Sequence, residues 1–101
     1  MANSLIEKMR KGEKQAIIDG LSRSGAIYRM NAISFSSIHK IKDAEVEKRI
    51  KALKEDDIIL DGYSVSDFAL AALDLMKVEK YTGDKRSVLN LIASKFEFLK
   101  Q

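Results

Sequence analysis

Cysteine and proline are both missing from this 101-residue chain, and histidine appears once. Without cysteine there are no disulfides and no thiolate metal sites. Without proline, the long loops and edge-rich β folds that recruit it for turns are disfavoured, and short helix connections are expected. The five glycines are scattered singly, which leaves no glycine-rich phosphate loop. No set of histidine and acids has metal-ligand spacing. The longest mostly apolar stretch, Phe68 to Met76, is interrupted by Asp74 and is far too short to cross a bilayer. The N-terminal Met1-Ala2-Asn3-Ser4-Leu5-Ile6-Glu7 lacks the basic-then-apolar pattern of a secretory leader. These absences predict a cytoplasmic, non-enzymatic chain with no cofactor, no metal and no membrane contact.

What is present is apolar and charged in the proportions of a folded chain. Hydrophobic residues make up 46% and charged residues 33%, too much apolar content for disorder. The length suits one domain over residues 1–101, stable if nearly every helix contributes a face. The net charge of +3 is unevenly spread: residues 1–54 carry +6 and residues 55–101 carry −3. Such a split can orient a partner, or it can reflect two solvated faces.

Helical periodicity dominates the chain. Ser4-Leu5-Ile6-Glu7 fits a capping box and starts a helix running to about Lys11, where Gly12 weakens it. A second segment, 13–22, contains Gly20 and could be one bent helix with the first. Ser24-Gly25 signals a turn, and a third helix is predicted over 26–40. Its stripe is Ile27, Met30, Ile38 and Ile41, widened by Ile33 and Phe35. Asp43 is a good N-cap for a fourth helix through Lys54, with Val46, Ile50 and Leu53 on its buried edge. Glu45–Arg49 and Glu47–Lys51 are expected to pair along that helix.

The stretch 55–63 breaks the pattern with three consecutive acids and the turn dipeptide Asp61-Gly62. Its Ile58-Ile59-Leu60 run is expected to anchor the loop onto the core rather than form a lone strand. Ser64, with Asp67 at the capping-box position, opens a fifth helix to about Val78. That helix is apolar nearly all round and should lie at the buried centre. Asp84 is the expected N-cap of a last helix over 85–99 that buries Val88, Leu91, Ile92 and Phe96.

An internal similarity emerges at a constant offset of 37 residues: Ala32, Ile38 and Ile41 correspond to Ala69, Leu75 and Val78. Each unit reads as an apolar helix, a turn carrying an aspartate (Asp43, Asp84) and an amphipathic helix. Val65-Ser66-Asp67-Phe68-Ala69-Leu70-Ala71-Ala72-Leu73-Asp74-Leu75-Met76 resembles the second helix of a HEAT-like repeat. Tyr28-Arg29-Met30-Asn31-Ala32-Ile33 resembles the start of the same helix and keeps its arginine. The resemblance covers residues 13–98, with Ser36-Ser37 and Asp74 in place of the usual glycine region. It implies an all-α fold of five to six helices, as antiparallel hairpins in a short solenoid; an irregular bundle is the alternative arrangement. Freestanding bacterial helical-repeat proteins of this size often neutralise one cognate protein, so the resemblance also implies a protein-binding role, most concretely an immunity protein that sequesters a toxin.

Candidate contact residues follow from composition. Asp56, Asp57, Asp61, Tyr63 and Asp67 combine acids with an aromatic in one loop, suited to steering and holding a basic partner. Tyr28 and Asn31, with Phe35, form a second expected edge. The competing expectation is nucleic-acid binding through Lys8, Arg10, Lys11 and Lys14 together with Lys48, Arg49, Lys51 and Lys54. Against it, acids separate many of the cations and no aromatics interleave them. His39, near a helix end, is expected to interact with helix-terminal carbonyls.

Overall fold

The computed structural model describes residues 4–60 and 62–99, with the backbone alone for 93 and 95–99. Within them the chain is an all-α bundle of six helices: α1 (Ser4–Arg10), α2 (Lys14–Leu21), α3 (Ala26–Ile38), α4 (Ala44–Ala52), α5 (Val65–Leu75) and α6 (Ser87–Leu99). A single 3-10 turn, Leu53–Glu55, extends α4. Two short strands, β1 (Ile59–Leu60) and β2 (Tyr63–Ser64), pair antiparallel with Ile59 opposite Ser64 and Leu60 opposite Tyr63. The 58–60 run is therefore half of a hairpin, stabilised because Val65 N–H also reaches the Ile58 carbonyl at 3.0 Å. No helix among the described residues is long and apolar enough to cross a membrane.

α3 and α5 form the centre and pack on each other. Ile33, Ala32, Val65, Ala69, Ala72 and Leu73 are fully buried there. Each large aliphatic removed from water contributes about 1.5–3 kcal/mol. α1 and α2 cover α3, while α6 lies against α5 and α3. The predicted edge of α4 is buried as expected at Val46 and Ile50, and it rests chiefly on α2 and α5. α2 approaches so closely that a Cβ on Gly20 would sit 2.6 Å from Met9 Sδ and 3.0 Å from Ala32 Cβ. Of the side chains expected in α6, Val88 and Ile92 are buried and Leu91 is half-buried; Phe96 lies outside the described side chains.

Side chains cap the starts of α4 and α5, whereas Glu13 and Gly25 ahead of α2 and α3 make no side-chain cap bond. Asp43 accepts the Val46 N–H at 3.0 Å. Ser64 and Asp67 form the reciprocal box, with Asp67 N–H donating to Ser64 Oγ at 3.0 Å and Ser64 N–H to Asp67 at 2.9 Å. α1 and α2 are separate helices, parted where Gly12 takes φ +82°.

The helix ends differ from the expectation. α3 stops at Ile38 and α5 at Leu75, two to three residues early. In each a lysine takes the left-handed position normally given to glycine: Lys40 at φ +50° and Lys77 at φ +61°. Lys40 N–H reaches the Ser37 carbonyl and Ile41 N–H the Ser36 carbonyl. Lys77 N–H reaches the Asp74 carbonyl and Val78 N–H the Leu73 carbonyl, so the bonding is the same 37 residues on. A side chain in this region costs about 1 kcal/mol relative to glycine. α6 begins two residues later than Lys85 because that lysine is held elsewhere: its N–H donates to Tyr81 Oη and its Nζ to the Gly62 carbonyl.

Candidate functional site

The acidic loop is tied down by one arginine. Arg29 is 8% exposed and donates from Nε to Asp56 at 2.9 Å. Its Nη1 donates to the carbonyls of Arg23 at 2.8 Å and Ser24 at 2.6 Å, so it also closes the α2–α3 turn. The other oxygen of Asp56 accepts the Ile58 N–H at 3.2 Å, and its carbonyl accepts the Ser66 N–H at 2.7 Å. Ser66 Oγ donates to the Lys54 carbonyl. Two of the candidate acids are thereby accounted for structurally: Asp56 clamps the loop and Asp67 caps α5. Asp57 stays exposed, and Asp61 lies outside the described residues.

The clamp sets the hairpin beside α3 and creates a groove of about 240 Å³. Asn31 and Tyr63, from the two separate candidate regions, both line it, with Met30, Leu60, Phe68 and Leu91. Tyr63 meets Phe68 edge-to-face at 6.2 Å, its hydroxyl lies 2.8 Å from Ser87 Oγ, and Lys85 Nζ sits 5.7 Å over its ring. Asn31 donates to the Ile27 carbonyl at 2.8 Å. Tyr28 lies outside the groove, half-buried, with the Arg23 guanidinium 5.6 Å from its ring centre.

Among the described residues three large apolar side chains are left in water. Ile27 is 48% exposed, Ile58 51% and Ile59 68%. Sequence periodicity places Ile27 in the buried stripe and makes Ile58–Leu60 an anchor; only Leu60 of that run packs on the core. A two-residue strand turns Ile59 outward because alternate residues face opposite ways. Single exposed isoleucines are ordinary; of these three, Ile27 lines the depression, while Ile58 and Ile59 sit on the segment that leads into Leu60.

The basic residues of the nucleic-acid expectation are mostly neutralised. Arg10 pairs with Glu7, Lys14 with Asp43 at 3.1 Å, and Arg49 with Glu45 at 2.6 Å. Lys54 bonds Glu79 at 2.9 Å and Lys51 faces the same carboxylate at 4.0 Å, in place of the expected pairing with Glu47. Lys8, Lys11 and Lys48 make no ion pair among the described residues.

These surface pairs make stability depend on acid. The Val46 N–H, then Lys14, holds the Asp43 carboxyl below the ordinary aspartate range. Hydrogen bonds from Arg10 and Arg23 do the same to Glu7 and Asp19. Folding thus favours the ionised carboxylates, a contribution present above the unfolded pKa of about 4 and lost as pH falls through the lower folded values. Urea midpoints are expected to hold from neutral pH to about 4 and to fall below it. Asp43→Asn should lower the neutral midpoint and soften that fall; equal slopes in both proteins would show that Asp43 takes no part.

The single histidine contacts a carbonyl at a helix end, but across the fold: His39 Nε2 lies 2.7 Å from the Arg10 carbonyl, against Gly12. Among the described residues no three His, Asp or Glu side chains gather to hold a metal ion. No family model matches the chain, and no curated protein or solved structure resembles it closely enough to count as a match.

Proposed function

We propose that the chain is a non-enzymatic protein-binding module that presents the groove between α3 and the hairpin to one cognate protein. The observation that carries this reading is a depression lined by Asn31, Tyr63 and the exposed Ile27, with the exposed Ile58 and Ile59 next in the chain to its lining residue Leu60. An aromatic within an apolar centre, with Asp57 exposed on the chain segment that leads into the hairpin, is the composition of an interaction hot spot with a polar rim. The rim acid favours a basic partner. The concrete form we put forward is a cytoplasmic immunity protein that sequesters a toxin, built as a short HEAT-like array. The same bonding recurs at two helix ends 37 residues apart, the offset of the internal similarity. A catalyst has less support, since His39 is engaged by a backbone carbonyl and Tyr81, pushed up by burial, accepts the Lys85 N–H.

The test is affinity capture with the intact chain, followed by titration of the captured protein. Ile59→Asp should leave the fold intact and weaken binding by about 30-fold or more, the scale of a hot-spot loss of about 2 kcal/mol. Unchanged affinity for both Ile59→Asp and Ile27→Asp would reject the groove as the contact. Retention of duplex DNA that weakens steeply with salt, lost on replacing Lys8, Lys11 and Lys48, would favour the nucleic-acid reading instead.

A further inference from the structure

A second groove, separate from the first, lies where the C-terminal ends of α3 and α5 meet. It encloses about 470 Å³ and is bordered by the two left-handed lysines, Lys40 and Lys77, and by Lys42. All three are exposed and none forms an ion pair among the described residues. Its floor is aliphatic and half-buried, made of Leu75, Met76 and Val78. Glu47 is the one acid on its wall.

The geometry points to this groove as a docking site for an acidic, apolar-containing peptide segment of a partner protein. Three unpaired cations around an aliphatic floor complement a segment that alternates carboxylates with leucine-like side chains. Methionine in the floor adapts to side chains of different shape. Nucleic acid suits it less well, because the lining holds no aromatic on which a base could stack and Glu47 opposes a continuous phosphate chain. Lys40 and Lys77 also occupy positions where glycine would be conformationally cheaper, and the side chains kept there are two of the three cations on the rim.

Fluorescence anisotropy with the intact protein and a labelled synthetic peptide alternating glutamate and leucine tests the assignment. Saturable binding that weakens with salt is expected, with Lys77→Glu about tenfold weaker. Lys77→Gly should separate two effects, raising the urea midpoint while weakening the peptide about threefold. Ile59→Asp should leave peptide binding unchanged, so this groove stands or falls independently of the first. Failure to bind, or equal binding of a glutamate–serine peptide, would overturn the proposal. So would tighter binding of a labelled single-stranded oligonucleotide, or Lys77-dependent self-association in sedimentation, which would assign the groove to phosphate or to a second copy.

Discussion

Arg29→Ala is expected to destabilise the fold by about 3 kcal/mol, and to do so by freeing two places at once. The Arg29 and Asp56 side chains are only 10% and 17% exposed, so removing the guanidinium leaves a carboxylate sheltered from water without its cation. The same substitution strands the carbonyls of Arg23 and Ser24. In a domain of this size the melting temperature should drop by about 12 °C or more. Arg29→Lys should recover little, because one ammonium cannot reproduce the guanidinium's fork between a carboxylate and two carbonyls. Replacing the pair together, Arg29→Met with Asp56→Leu, should recover much of the loss, since both buried charges then disappear. Thermal and urea unfolding check these values; a loss below about 1 kcal/mol for Arg29→Ala would show that the clamp is incidental.

Leu73→Ala should cost about 3 kcal/mol, within the 2–5 expected for truncating a buried leucine. Leu73 is fully buried on α5, which packs on α3, α4 and α6, so several elements border the space left behind. Leu73→Met keeps the volume and should cost less than about 1.5 kcal/mol. Ile59→Ala provides the contrast: with 68% of its surface already in water, the change should stay near about 0.5 kcal/mol. Comparable losses at 59 and 73 in urea unfolding would contradict the assignment of one to the surface and the other to the core.

Local chemistry proved readable from the sequence, and long-range chemistry did not. The caps at Asp43 and Ser64–Asp67, the buried edge of α4 and the central place of α5 each depend on residues within one or two turns of one another. The C-terminal stops of α3 and α5 were obscured because lysine fills the position where glycine gives the signal. Glu47–Lys51 satisfies the spacing rule, yet Lys51 turns to Glu79, which only the tertiary fold brings near. Arg29 was visible as the arginine of a helical-repeat pattern, but its partner lies 27 residues away and no local signal marks such a pairing. The groove was half legible. Tyr63 and Asn31 stood out as an aromatic and a polar residue in promising segments; Ile27, Ile58 and Ile59 read as core because hydrophobicity alone does not say which side chains the bundle leaves uncovered.

The groove beside the hairpin is assembled from α3, from the 60–68 segment and from Leu91 of α6, stretches that come together only in the native chain. No short fragment carries it, and the unfolded chain does not possess it. Any molecule seated there therefore pulls the folding equilibrium toward the native state by mass action. At a free concentration a hundredfold above its dissociation constant, that linkage adds about 2.7 kcal/mol to the apparent stability. For a bundle of this size, occupancy of its own surface becomes part of what keeps it folded and protected from proteases.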